Sequence, residues 1–169
     1  SQGRKTNPNW LIKFFNNPMT VRPNLQVRMP SFHQIDDREW DTIIKYFQSI
    51  DDENTGYRAP HQYVESSSKF KAGEKVHEIG ACNNCHFYGT KFPTQVASTW
   101  APNLALTKER LNPEWVVDWL RNPQEIMPGT KMPAPYLPTP DVLETSDATD
   151  VWGTDLVNLK GNQEAMLEG

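Results

Sequence analysis

Cysteine is nearly absent from this chain: two residues in 169, separated by two positions. A disulfide between them would close a tiny loop and tie no distant segments together, so a framework of structural bridges is excluded. Long hydrophobic runs are missing too. The apolar stretches are only a few residues long, too short to cross a bilayer as a helix. The opening Ser-Gln-Gly-Arg-Lys-Thr lacks the apolar core of a secretion signal, so either a leader has been removed or the chain is part of a longer gene product. No lysine or arginine cluster interrupts a net charge of -4, which argues against nucleic acid as a partner. Glycine is scarce, with 9 residues against 14 prolines, and this predicts helices joined by ordered, stiffened loops. A composition of 37% hydrophobic and 22% charged residues suits a globular protein, and the length suits one comfortable domain or a small domain with a substantial appendage.

What the chain does have is concentrated around its cysteines. Cys82-Asn83-Asn84-Cys85-His86 sets two thiols about one helical turn apart, next to an imidazole. Thiols at that spacing suit covalent attachment to the two vinyl groups of one haem, with the adjacent His86 held beneath the iron as an axial ligand. A thioredoxin-like redox pair competes with this reading, but it calls for a preceding strand in a βαβ setting, and the flanking sequence reads as helix. A zinc site competes as well, yet zinc takes four ligands, and His33, His61 and His77 are not placed as a second pair at finger spacing. The flank from Ser68 to Gly80 carries Ala72, Val76 and Ile79 at intervals of four and three, the buried face of a short helix. Gly73 interrupts it at a cost of about 1 kcal/mol relative to alanine, which points to close passage of another helix.

Lys71-Ala72-Gly73-Glu74-Lys75-Val76 leading into Cys82 to His86 resembles the opening of a class I cytochrome c domain. The resemblance continues downstream. Ala101-Pro102-Asn103-Leu104 is similar to the family's proline loop, which implies that the Pro102 carbonyl accepts a hydrogen bond from the axial His86 and fixes its ring. Asn122-Pro123 through Met127-Pro128-Gly129-Thr130-Lys131-Met132-Pro133 resembles the family's methionine loop and implies Met132 as the second axial ligand. Ligation by His and Met raises the reduction potential. Met127 lies before the Pro-Gly turn and reads instead as a filler of core gaps. Asn112-Pro113-Glu114-Trp115 opens a helix with proline in its first turn; Trp115, Trp119 and Leu120 form an apolar stripe that walls the haem pocket or packs the core.

The first sixty residues echo the later ones. Asn7-Pro8-Asn9-Trp10 through Asn17-Pro18 to Arg28-Met29-Pro30 repeats the pattern of Asn112-Pro113-Glu114-Trp115 through Asn122-Pro123 to Lys131-Met132-Pro133, the signature of a duplicated unit. Asp36-Asp37-Arg38-Glu39 reads as a capping box, followed by Trp40, Ile43, Ile44, Phe47 and Ile50 at helical spacing. The expected fold is all-α: residues 1–52 as a haemless partial cytochrome c-like segment, 53–65 as a linker containing Tyr57 and Tyr63, and 66–169 as the haem domain with long loops. Met29 has no Cys-x-x-Cys-His partner in the chain, which leaves a haemless remnant and a truncated dihaem protein both open. Residues 162–169 begin a closing helix that stops after about two turns; either more chain follows, or the helix of residues 37–50 docks in its place. The segment from Pro133 to Gly153 reads as a surface excursion.

The resemblance implies one covalent haem c, with Cys82, Cys85, His86, Pro102, Trp115 and Met132 as its binding residues and His86 and Met132 on the metal. It implies one-electron transfer by a carrier or relay subunit of a respiratory or photosynthetic chain, not an enzyme in its own right. The partners would be redox proteins or a larger membrane-associated complex, with no nucleic acid and no small-molecule substrate. The compartment would be the periplasm or an equivalent place outside the cytoplasm. The alternative is the haem module of a dehydrogenase or a peroxidase-like enzyme, in which Met132 is displaceable.

Overall fold

The computed structural model describes residues 2–51 and 64–169, so the expected linker lies outside the described residues except for its last two positions. The chain is mostly helical, with 53% of residues in helix. Among the described residues the only extended pairings are three isolated bridges, Thr6 with Leu111, His86 with Ala101 and Tyr88 with Lys91. In chain order the helices are α1 (Gln2–Lys5), α2 (Pro8–Asn16), α3 (Asp37–Ile50), α4 (Ser68–Ile79), α5 (Thr107–Arg110), α6 (Pro113–Arg121), α7 (Pro123–Ile126), α8 (Pro140–Leu143), α9 (Ala148–Trp152), α10 (Thr154–Val157) and α11 (Gln163–Leu167). They fall into two compact units. The described parts of the first are residues 2–51 and 83–115; those of the second are 64–82 and 116–169.

In the first unit, α2 starts where Asn7 accepts from Asn9 N at 2.9 Å and Pro8 supplies a preset φ. The capping box of α3 forms as the sequence predicts. Asp36 accepts from the Arg38 and Glu39 amides, each at 2.9 Å, and Glu39 reaches back to the Asp36 amide at 2.9 Å. Trp40 and Ile44 are buried, and one turn further the polar Gln48 is buried with them. Trp40 stacks on Phe15 with centroids 4.2 Å apart, and Trp10 stacks on Phe14 at 4.8 Å. α1 crosses α3 at Gly3, where a Cβ would lie 2.2 Å from the Phe47 carbonyl oxygen. Only a residue without a side chain permits that approach.

The second unit packs α4 against α10 and α11, with Ala72, Val76, Leu143, Leu156 and Met166 as its core. The helix expected before the cysteines is α4, opened by Ser67 capping the Phe70 amide. Gly73 marks a close crossing: a Cβ there would lie 2.1 Å from the carbonyl carbon of Gly169, just beyond α11. Within this unit α11 packs on α4 with Ala165, Met166 and Leu167 buried; within the first unit Phe47 of α3 meets Gly3. The segment from Pro133 to Gly153 is no simple surface excursion either. It contains α8 and α9 and sends Leu143 and Ala148 into the interior, and Pro138 is fully buried.

Candidate functional site

The cysteine motif begins where α4 ends. Gly80 caps the helix, and Ala81 then takes φ 48°, a left-handed conformation that costs an L-residue roughly 1–2 kcal/mol. That turn leads directly into the 3-10 turn Cys82–Asn84, and both Cys82 and Cys85 are half-buried. Strain stored one residue before the cysteine pair marks a place whose geometry the surrounding structure dictates.

In the first unit, residues 83–104 wrap around His86 through paired backbone bonds. Gln95 N donates to the Asn84 carbonyl at 2.9 Å, Ala101 N to that of Cys85 at 2.8 Å, and Leu104 N to that of Phe87 at 2.8 Å. Asn103 clasps Gly89 from both sides, accepting from its amide at 3.0 Å and donating to its carbonyl at 2.8 Å. Phe87 is 1% exposed and meets Phe92 and Trp100 edge-on, with centroids 5.3 and 5.2 Å away. The loop is therefore pinned at backbone and side chain. Within it, His86 Nδ1 lies 2.7 Å from the Pro102 carbonyl oxygen. A carbonyl only accepts, so Nδ1 carries the proton and the basic lone pair of the ring is on Nε2. Trp115 is 5% exposed in the same unit, with Lys5 Nζ 4.8 Å over its ring.

In the second unit, Met127-Pro128-Gly129-Thr130 forms a turn closed by Thr130 N donating to the Met127 carbonyl at 3.1 Å, with Gly129 at φ 84°. Proline at the second position and a glycine of positive φ at the third are the requirements of a type II turn. Gln124 donates to the Thr130 carbonyl, and the Thr130 hydroxyl accepts from Met132 N at 3.3 Å, so the chain on both sides of the turn is tied down. Met132 is half-buried, and its sulfur accepts from Trp119 Nε1 at 2.9 Å. Met127 is 47% exposed, which excludes the core-filling role expected of it.

The structure thus brings His86 and Pro102 into direct contact and sets Trp115 in their unit, while Met132 belongs to the second unit with Trp119. The bond from Trp119 to Met132 escaped the sequence reading; the thirteen-residue separation carries no periodic signal. Among the described residues there is no group of three or more His, Cys, Asp or Glu side chains able to hold a metal ion; His61, one of the histidines weighed for zinc, lies outside them. No described helix is long and apolar enough to cross a membrane. Comparison with models of protein families, with curated proteins and with solved structures finds no match to this chain.

Proposed function

We propose that the chain is a one-electron carrier or relay of the class I cytochrome c type, holding one covalent haem through Cys82 and Cys85, with His86 and Met132 as axial ligands. The observation that carries this reading is the bond between His86 Nδ1 and the Pro102 carbonyl at 2.7 Å. It fixes the tautomer and orientation of an imidazole that directly follows a Cys-x-x-Cys pair, as metal-ligating histidines are commonly fixed by a backbone carbonyl on the opposite nitrogen.

The donor set fits a haem. It comprises two half-buried thiols for the vinyl groups, an oriented imidazole and a soft thioether presented after a rigid turn. A haem bound there supplies a one-electron couple between ferrous and ferric iron. Pro102 keeps the proton on Nδ1 of His86 and strengthens the basicity of Nε2. The pinned loop of residues 83–104 holds the ring so that little reorganises during turnover. Trp119 steadies the thioether of Met132 and withdraws electron density from it. Two protein ligands leave no position for a substrate, so partners exchange electrons by docking, through a small interface suited to rapid dissociation. The family resemblance adds a location outside the cytoplasm, in a respiratory or photosynthetic chain or a complex attached to a membrane.

A pyridine haemochrome assay on the purified protein, followed by carbon monoxide addition to the reduced form, tests this. One covalent haem per chain and an unchanged spectrum under carbon monoxide are expected. A protein without covalent haem refutes the reading, and a haem that takes up carbon monoxide readily replaces the closed carrier with the enzyme-like alternative.

A further inference from the structure

The internal repeat extends to local structure. α1 (Gln2–Lys5) and α5 (Thr107–Arg110) are both 4 residues long and stand the same distance before Asn7-Pro8 and Asn112-Pro113. Each is closed by one backbone bond, Thr6 N donating to the Gln2 carbonyl at 3.0 Å and Leu111 N to that of Thr107 at 2.9 Å. α2 and α6 follow, 9 residues each with proline first. Both end on a matching bond: Asn17 N to the Lys13 carbonyl at 2.9 Å, Asn122 N to that of Asp118 at 3.2 Å. The turn closed by Leu25 N on the Arg22 carbonyl at 3.1 Å likewise matches the one closed by Thr130 N on that of Met127 at 3.1 Å. Residue by residue, Lys5, Thr6, Asn7 and Trp10 thus correspond to Arg110, Leu111, Asn112 and Trp115.

In the first unit these counterparts bind each other. Thr6 bridges antiparallel to Leu111; Asn7 N donates to the Arg110 carbonyl at 2.8 Å, and Asn112 N donates to the Lys5 carbonyl at 3.0 Å. Exchanging each residue for its counterpart turns either bond into the other. Duplication alone requires no such thing, since two copies of an element can sit anywhere on a fold. Reciprocal contact between copies of one element is the pattern of an isologous, twofold interface. Thr6, Leu111, Asn112 and Trp115 are all buried there, and Lys5 Nζ lies 4.8 Å over the Trp115 ring.

We propose that residues 107–112 are a homotypic docking surface, that residues 2–7 occupy it within one chain, and that a second copy of this chain takes their place when they leave. The reciprocal bonds select this occupant. In a pair of copies, Asn112 N of each donates to the Arg110 carbonyl of the other, the bond that Asn7 makes within one chain. Leu111 replaces Thr6 opposite Leu111 and adds apolar contact. A guanidinium replaces the Lys5 ammonium over Trp115, and arginine is the cation that stacks on aromatic faces more often. Once residues 2–7 depart, the Asn112 N–H and the Arg110 carbonyl form an open extended edge, a template for another chain. What keeps them in place is the crossing of α1 over α3 at Gly3, where an added Cβ would lie 2.2 Å from the Phe47 carbonyl oxygen and 2.6 Å from Gln48 Cα. Gly3 is thus the catch. The surface and its occupant are independent of the haem reading.

The test displaces residues 2–7 in the full chain. Gly3→Val cannot keep α1 on α3, and Gly3→Ala, with the same clash from a smaller side chain, serves if the valine protein does not fold. Sedimentation velocity over a range of concentrations, with thiols kept reduced and folding checked by far-UV circular dichroism, gives the mass. Wild type should stay a monomer and the Gly3 variant should approach twice the monomer mass. Charge at position 111 then identifies the contact, because a twofold places that residue opposite itself. Within the Gly3 variant, Leu111→Asp and Leu111→Lys should each restore the monomer, since like charges directly opposite repel, and an equimolar mixture of the two should dimerise. A folded Gly3 variant that stays monomeric overturns the proposal, and so does a dimer indifferent to charge at position 111 or a wild type already dimeric.

Discussion

Replacing Gly73 with alanine tests the packing of the unit that carries Met132. The added Cβ would sit 2.1 Å from the carbonyl carbon of Gly169, 2.7 Å from its oxygen and 2.9 Å from its Cα. Non-bonded carbons settle at about 3.5 Å, so the chain after α11 must retreat by more than about 1 Å. The retreat passes into α11 within one turn, where Met166 is 1% exposed and Leu167 is 7% exposed. Overpacking of this kind costs about 1–3 kcal/mol. Detachment of α11 would raise the cost further, by about 1.5–3 kcal/mol for each large apolar side chain returned to water. Alanine returns about 1 kcal/mol of helix propensity. With one such side chain exposed the expected net loss is about 1.5–5 kcal/mol, a fall in thermal midpoint of roughly 2–4 °C for each kcal/mol in a chain of this size. Gly80→Ala is the milder comparison: its φ is -67°, and an added Cβ would lie 3.0 Å from the Val76 carbonyl oxygen, 3.5 Å from Cys82 Sγ and 3.8 Å from Pro135 Cβ. It should cost less than about 1 kcal/mol. Urea and thermal unfolding of the haem-loaded proteins, followed by tryptophan fluorescence, supply both numbers. A Gly73→Ala protein as stable as Gly80→Ala would refute the close seating of residue 169 on α4.

Four further outcomes follow from the geometry. Met132→Ala should open the iron to carbon monoxide and lower the midpoint potential, whereas Met127→Ala, at an exposed position, should leave both unchanged; equal effects from the two would reverse the ligand assignment. Trp119→Phe removes the N–H donor on the Met132 sulfur and should lower the potential by about 20–40 mV, on the scale of 59 mV per tenfold for one electron; potentiometric titration gives the value, and an unchanged potential would show that this bond does not tune the ligand. Ala81→Gly relieves a residue at φ 48° and should stabilise the protein by up to about 1 kcal/mol, with a loss of stability counting against strain at that turn. Asp36→Ala, which removes the capping acceptor of α3, should cost about 0.5–2 kcal/mol in urea unfolding, and a neutral result would mean that α3 is held by packing alone.

Local signals in the sequence were readable in proportion to how locally they are satisfied. The capping box at Asp36, the proline in the first turn of α6 and the Pro-Gly turn before Met132 are completed within four residues, and each appears as read. The face of α3 was read well at Trp40 and Ile44 and poorly at its end, where Ile50 is 58% exposed and Gln48 is buried instead. Tertiary neighbours, not period, decide that last turn. The contact of His86 with Pro102 was anticipated through family resemblance, since nothing in a sixteen-residue separation predicts it from spacing. The bridge of Thr6 with Leu111 had no local signature, because it depends on pairing residues 5–7 with residues 110–112. Proline-rich composition between 133 and 153 suggested surface loop, but Leu143 and Ala148 are buried among the helices of that unit.

The pairing of Thr6 with Leu111 and of Asn7 with Arg110 has a practical consequence for anyone wishing to move this module into another protein. Each of the two units draws on two stretches of chain, and the stretches alternate along the sequence. A cassette cut at residue 66 would carry the complete Cys82–His86 motif, the Pro102 loop and Met132, yet it would strip away the strand of backbone that hydrogen-bonds residues 110–112. It would also uncover Leu111 and Trp115, which are 9% and 5% exposed in the intact fold. The portable piece of this protein is therefore larger than its chemical motif. A transplant designed around the cysteines has to take the first sixteen residues along, joined back by a new connection if the natural one is left behind.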